Sequence, residues 1–139
     1  NFTLAAARRA KKVVGVEGSQ EMVIRGSENA SLNGLSNVEF HAADLFQPIS
    51  EKDWAAQQYS KIILDPPRSG AIEIIPEIAK LGAKIIVYVS CNPATLARDT
   101  AELISAGYQL RATGVMDMFP HTTHVESMAV FDAGKRPRK

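Results

Sequence analysis

The sequence is poor in cysteine and in long apolar runs. Its single cysteine, Cys91, cannot close an internal disulfide, and it cannot by itself hold an iron–sulfur cluster or a zinc site. No apolar run approaches the roughly 20 residues that span a membrane, and no secretory signal peptide is visible. We therefore expect no membrane partner and a cytoplasmic location. The net charge of +1 does not by itself indicate nucleic-acid binding.

The composition is that of an ordinary globular protein. Of 139 residues, 45% are hydrophobic and 22% are charged, which is enough apolar material for one domain with a core and no disulfides. No repeat, low-complexity segment or linker interrupts the chain. Residues 134–139 carry Lys135, Arg136, Arg138 and Lys139, which we interpret as a frayed, solvated basic tail.

Apolar strand patterns alternate with helical patterns along the chain. Strands are predicted over residues 12–17, 37–42, 61–64 and 84–90. A first helix is predicted over residues 1–10, with Asn1 as a possible N-cap, and a second helix begins after its cap, Ser19, and ends at Asn33. Three further helices are predicted over residues 51–59, 73–81 and 94–107. Two further strands, over residues 108–118 and 125–131, have no helix between them. The pattern predicts an α/β fold, with a mostly parallel sheet that ends in an antiparallel edge hairpin.

Polar side chains follow the predicted parallel strands. Glu17, Asp44, Asp65 and Cys91 all lie where such a strand ends. Ligands of open α/β sheets bind beyond the carboxyl ends of the strands, so this shared position indicates a binding site.

Each acid also has a simpler interpretation. Glu17 can accept both hydroxyls of a ribose or be a solvated carboxylate, and Asp44 suits an adenine amino group or a helix cap. Asp65 begins the run Asp-Pro-Pro-Arg, which ends in Arg68. Two prolines after a buried strand make a rigid loop that can hold Asp65 against a planar base, or they simply end the strand before a turn.

Cys91 and Glu126 are the candidate reactive groups. Cys91 lies between a strand and a helix, where unpaired N–H groups and a partial positive charge favour a thiolate; the alternative is a small core residue. Glu126 opens an apolar strand, so it is either a partly desolvated general base or a solvent-facing carboxylate. His121 and His124 have no obvious third partner, and no metal site is predicted.

Five segments resemble the RNA 5-methyluridine methyltransferases that use S-adenosylmethionine. They are NFTL at Asn1, GVE at Glu17, LDPPRSG at Asp65, YVSCNPATLARD around Cys91 and DMFPHTTHVESM from Asp117. The segments occur in the family's order and span nearly the whole chain. The last two most resemble the bacterial branch that methylates 23S ribosomal RNA, whereas the tRNA branch departs from this sequence around the final acid.

The resemblance implies a Rossmann-like class I methyltransferase catalytic domain over residues 1–133. It implies methyl transfer from S-adenosylmethionine to carbon 5 of a uridine in ribosomal RNA, with Cys91 as the nucleophile that adds to carbon 6 and Glu126 as the general base. Arg68 would hold the Asp65 loop or the RNA. The residues that would line the cofactor site are Asn1, Glu17, Asp44 and Asp65.

The sequence departs from the family's pattern at its start, and two alternative functions fit parts of it. The family carries a strand and a glycine-rich loop, Asp-x-Phe-Cys-Gly-x-Gly, before the match at Asn1, and this chain starts at that residue. We therefore expect an N-terminally truncated domain, inactive alone, and any iron–sulfur cluster would belong to the missing N-terminal part. The alternatives are a non-catalytic RNA- or partner-binding module, and a base amino-methyltransferase, which Asp65-Pro66-Pro67 favours and Arg68 opposes.

Overall fold

The computed structural model describes residues 2–117 and 125–134, which form two compact units, Asn1–Gln47 and Pro48–Lys139. No helix within these described ranges is long and apolar enough to cross a membrane. The single catalytic domain over residues 1–133 stays a prediction.

The first unit is a parallel strand pair with two helices. Its elements are α1 (Thr3–Ala7), β1 (Val13–Glu17), α2 (Gln20–Leu32) and β2 (Val38–Ala42). The strands pair from Val13↔Val38 to Glu17↔Ala42. The Phe40 ring lies so close to both neighbouring backbones that a Cβ at Gly15 or Gly26 would come within 3.0 Å of it.

The ends of the helices in this unit follow from local chemistry. Ser19 caps α2 as predicted, its hydroxyl accepting from the Met22 N–H at 3.4 Å. Helix α1 is shorter than predicted and has Phe2, not Asn1, at its N-cap; Asn1 itself lies outside the described residues. The Asn37 side-chain amide donates to the carbonyls of Ala7 and Ala10, and these bonds stabilise the turn that follows α1.

The second unit is a mixed four-stranded sheet in the order β3–β4–β6–β5. Strands β3 and β4 are parallel, whereas β6 is antiparallel to both β4 and β5. The predicted α/β fold and its C-terminal antiparallel pair are confirmed, with β6 inside and β5 at the edge. The elements are a 3₁₀ helix (Asp53–Ala56), β3 (Lys61–Leu64), α3 (Ile75–Lys80), β4 (Ile85–Ser90), α4 (Pro93–Ser105), β5 (Tyr108–Met116) and β6 (Glu126–Ala133).

The core of this unit lies around β4, β6 and α4, where Ile86, Phe131 and Leu103 are fully buried. The prediction of a helix over residues 51–59 was wrong, because the segment forms only one short 3₁₀ turn. The Tyr59 hydroxyl donates a hydrogen bond to the Trp54 carbonyl. This carbonyl oxygen therefore has a partner although no further helical turn supplies an N–H for it.

Candidate active site

Three of the predicted site residues lie at one edge of the second unit's sheet. Asp65 directly follows β3, which pairs in parallel with β4 through Leu64↔Tyr88, and Cys91 directly follows β4. Glu126 is the first residue of β6, which runs antiparallel to β4 and therefore begins where β4 ends. The structure thus brings Asp65, Cys91 and Glu126 to the same edge.

The register of β4 and β6 relates Cys91 to Glu126. Ser90 pairs with Ser127, and the Ser127 hydroxyl donates to the Ser90 carbonyl at 3.0 Å. The next position along each strand is Cys91 on one side and Glu126 on the other. Directly opposite residues of an antiparallel pair share a face and have Cβ atoms about 4.5–5.5 Å apart. The β4–β6 ladder ends at the Ser90–Ser127 pair, so Cys91 and Glu126, both half-buried, flank its last pair at one edge of the sheet.

A tight local turn holds Cys91. The Ser90 hydroxyl accepts from the Asn92 N–H and donates to the Asn92 carbonyl, each at 3.0 Å, so the residues on both sides of the cysteine are tied together. The Asn92 side chain caps α4 by accepting from the Ala94 N–H at 3.1 Å, and Pro93 occupies the first turn. The predicted position of Cys91 between a strand and a helix is confirmed.

The loop of residues 65–71, which we call the 65–71 loop, is held by side chains that the sequence analysis did not single out. The Asn92 amide donates to the Arg68 carbonyl at 3.1 Å, and an Arg98 amino group donates to the Ser69 carbonyl at 2.8 Å. Arg68 takes part in these contacts through its backbone carbonyl. Its side chain is exposed, and the contact of that side chain with RNA stays a prediction.

Asp99 completes this arrangement from the buried face of α4. Its carboxylate accepts from the Ala71 N–H and from the Tyr88 hydroxyl, both at 2.6 Å. Burial, together with the hydrogen bond and charge of Asp99, raises the pKa of Tyr88 well above its ordinary value, so the hydroxyl keeps its proton and donates. A signal was present in the sequence, because Asp99 lies at helical spacing between the buried Leu96 and Leu103.

The first unit holds two of the predicted cofactor residues. Glu17 ends β1, Asp44 follows β2 by two residues, and the Ala43 N–H donates to the Glu17 carbonyl at 2.9 Å. Both carboxylates are exposed at the same edge of this strand pair. Each also bonds locally, Glu17 to the Ser19 N–H at 3.3 Å and Asp44 to the Phe46 N–H at 2.9 Å. The bond of Asp44 closes a turn two residues on, and no helix follows it, so the expectation of a helix cap was wrong; its adenine contact stays a prediction.

Some predicted residues lie outside the described ranges. These are Asn1, His121, His124 and the basic tail residues Lys135, Arg136, Arg138 and Lys139. Within residues 2–117 and 125–134, no group of three or more His, Cys, Asp or Glu side chains could hold a metal ion.

Comparison with known families identifies a match over nearly the whole chain. The family model described as "tRNA (Uracil-5-)-methyltransferase" matches residues 1–133. The 23S rRNA (uracil(1939)-C(5))-methyltransferase RlmD of Alcanivorax borkumensis is 63% identical over 136 residues, covering 98% of this chain and 31% of that protein. The protein of the same name from Hahella chejuensis is 61% identical, covering 95% of this chain and 30% of that protein. The chain thus spans about 30% of the length of these curated relatives.

A solved structure shares the fold. The crystal structure of Pyrococcus abyssi tRNA (uracil-54, C5)-methyltransferase in complex with S-adenosyl-L-homocysteine superposes with a TM-score of 0.80. It is 30% identical in sequence, and the match covers 94% of this chain and 31% of that chain. The methyltransferase fold expected from the sequence is confirmed by this similarity.

Proposed function

Since the chain belongs to the tRNA (Uracil-5-)-methyltransferase family, we propose that it carries the catalytic residues of a 23S rRNA uridine-5-methyltransferase. The choice of ribosomal over transfer RNA is supported by relatives of 61–63% identity whose names specify 23S rRNA. Residues 1–133 would form the S-adenosylmethionine-dependent catalytic domain, and the basic residues that follow would form a tail. A ribosomal RNA substrate places the reaction in the bacterial cytoplasm.

The β4–β6 register supports this proposal, because Cys91 and Glu126 flank its last pair, Ser90 with Ser127, at one edge of the sheet. Carbon 5 of uracil is a poor nucleophile until a group adds at carbon 6. The thiolate of Cys91 forms a bond to carbon 6, and the ring electrons move to give an enolate that is nucleophilic at carbon 5. After methylation, Glu126 accepts the proton of carbon 5, the ring double bond re-forms, and the bond between sulfur and carbon 6 breaks to return the thiolate.

The residues present fit S-adenosylmethionine by the chemistry of their oxygen atoms. Ribose hydroxyls and an adenine amino group need acceptors, and the exposed Glu17 and Asp44 carboxylates lie at the carboxyl edge of parallel strands, where such acceptors bind nucleosides. The predicted cofactor roles of Asp65 and Asn1 rest on the resemblance to the family. When bound, S-adenosylmethionine supplies an electrophilic methyl group.

The RNA substrate imposes one further requirement. A uridine that is stacked within folded RNA hides both faces of its ring, so it must turn out of the stack before Cys91 can reach carbon 6. The exposed Arg68 is available to contact the phosphate or the base of the extruded nucleotide.

The test traps the covalent intermediate in the full-length protein. RNA that contains 5-fluorouridine offers no removable proton at carbon 5, so the adduct with Cys91 should persist and migrate as a protein–RNA complex in a denaturing gel. Cys91→Ala should abolish the adduct. Glu126→Gln should accumulate an adduct even with unmodified RNA, because its release is blocked. Glu102→Gln, a change of an exposed acid on α4, should behave as the wild type.

Other outcomes would identify the alternatives. An adduct that survives Cys91→Ala would refute the assignment of the nucleophile. Methyl transfer to an exocyclic amino group, located by mass spectrometry of nucleosides, would indicate an amino-methyltransferase. RNA binding without methyl transfer in any form of the full-length protein would indicate a non-catalytic module.

A further inference from the structure

Asp99 is a buried charged residue that the proposed reaction does not use. Its relative exposure is 0%, although burying a carboxylate costs several kcal/mol unless it is paired and hydrogen-bonded. One oxygen accepts from Ala71 and Tyr88, and the other accepts from the Arg98 guanidinium through Nε at 2.8 Å and Nη2 at 2.7 Å. Both oxygen atoms are therefore satisfied, each by two donors.

The four donors connect Asp99 to three parts of the unit. Tyr88 belongs to β4, Arg98 to α4, and Ala71 to the 65–71 loop. Arg98 also reaches this loop, because its Nη2 donates to the Ser69 carbonyl. We call Arg98 and Asp99 together the α4 clamp, since both belong to α4 and both hold the backbone of the loop.

The loop lies against the clamp at close range. Gly70 has φ +90°, and a Cβ at this position would lie 2.5 Å from Arg98 Nη2 and 2.6 Å from Asp99 Oδ2. Only a residue without a Cβ permits this approach. The contact is therefore a built feature of the loop and not a surface ion pair.

The same loop is tied to the turn that holds the nucleophile. Asn92 donates to the Arg68 carbonyl, and its own backbone is bonded to Ser90 on the other side of Cys91. The 65–71 loop thus has one attachment beside Cys91 and a second at the α4 clamp. A loop that is held at two points keeps one orientation, whereas a loop that is held at one point can pivot about it.

On the basis of the proposed function, we propose that Asp99 is a positioning residue, which acts with Arg98 to hold the 65–71 loop at a set distance from Cys91. Asp65 and Arg68, which the loop carries, then face the same uracil as the thiol. Asp99 itself touches no substrate, and its effect on the reaction passes through the backbone of Ser69 and Ala71.

The experiment compares three variants of the full-length protein. Asp99→Asn keeps the size of the side chain but replaces one acceptor with a donor, so it cannot serve both Arg98 and the loop. Arg98→Met removes the bond to Ser69 and leaves the bond from Ala71. Leu103→Ala is the control for lost stability, because it removes a fully buried apolar side chain of α4 and none of the hydrogen bonds to the loop.

The first readout is the rate of adduct formation with RNA that contains 5-fluorouridine. We expect a decrease of about 100-fold for Asp99→Asn and about 10-fold for Arg98→Met, since a misplacement of about 1 Å has effects of this size. Leu103→Ala should stay within about threefold of the wild type while lowering the unfolding temperature. The second readout is hydrogen exchange at the Ala71 amide, which should accelerate in Asp99→Asn more than in Leu103→Ala.

Three results would overturn the proposal. The first is a folded Asp99→Asn protein that forms the adduct at the wild-type rate. The second is a Leu103→Ala protein that is as slow as Asp99→Asn, which would mean that lost stability explains the effect. The third applies if Asp99→Asn does not fold: an Arg98→Met protein that forms the adduct at the wild-type rate. Absence of an adduct in the wild type would refute the proposed function instead, and Ala71 exchange would still decide whether Asp99 holds the loop.

Discussion

Replacing Gly70 with alanine should destabilise the protein more than any other single glycine-to-alanine change at a positive φ. The first contribution is conformational: at φ +90° an L-residue costs about 1–2 kcal/mol relative to glycine. The second is steric, because the new methyl group would lie 2.5 Å from Arg98 Nη2, 2.6 Å from Asp99 Oδ2 and 3.2 Å from Thr95 Cβ. These atoms must move for the alanine to fit.

The steric contribution can be estimated from the bonds that must break. Asp99 is fully buried and is held by the Tyr88 hydroxyl, so its carboxylate has little space into which it can retreat. Displacing it from Ala71 sacrifices a hydrogen bond to a charged group, which contributes about 1.5–3 kcal/mol. The sum for Gly70→Ala is therefore about 2.5–5 kcal/mol.

Gly107→Ala provides the matched control in the same unit. Gly107 has φ +96°, and a Cβ there would meet nothing within 4 Å, so only the conformational cost of about 1–2 kcal/mol applies. Urea unfolding of the full-length protein, followed by circular dichroism, should give free energies of unfolding that differ by about 1.5–3 kcal/mol between the two variants. Equal free energies would refute the reasoning, because they would show that the clamp yields to a methyl group at no cost.

Two further predictions concern the core of the second unit. Leu103→Ala should lower the free energy of unfolding by about 2–5 kcal/mol, because Leu103 is fully buried. Ile104→Ala should lower it clearly less, because that side chain is 52% exposed. Similar midpoints of urea unfolding for the two variants would contradict this prediction. The pKa of Tyr88 is raised in the folded state, so Tyr88 of the unfolded chain loses its proton first as the pH rises above about 10. The free energy of unfolding should therefore fall in this range by up to about 1.4 kcal/mol per pH unit. Tyr88→Phe should lack this part of the slope when urea midpoints are compared between pH 9 and 11, and parallel slopes would show that the folded-state pKa of Tyr88 is not raised.

Local patterns were sufficient for most of the secondary structure. The alternation of β-branched strands with capped helices predicted β1 to β4 and α2 to α4 within about two residues at each end. Strand patterns repeat every two residues and helix patterns every three or four, so a short stretch of sequence contains this information. The helix expected over residues 51–59 failed because a side chain of the same segment, Tyr59, competes for the Trp54 carbonyl.

The candidate site was only partly predictable. The strand-end positions of Glu17, Asp44, Asp65 and Cys91 followed from the order of the elements, and the family was recognisable from its motifs. The roles of the residues that support the 65–71 loop were not predicted. Asn92, Arg98 and Asp99 stood within the quoted motif around Cys91, but a motif does not state which backbone atoms its side chains will reach.

The sequence by itself determined the class of fold, the family and the residue types at the strand ends, because periodicity, capping and motif order are properties of neighbouring residues. Only the tertiary structure decided that β6 lies beside β4 with Ser127 opposite Ser90, which brings Glu126 to the sheet edge where Cys91 follows β4. It alone placed Asp99 against Ala71, 28 residues away in the chain. Such pairings arise when the core excludes water and each buried polar atom must find a partner, and no local pattern specifies which distant partner that is.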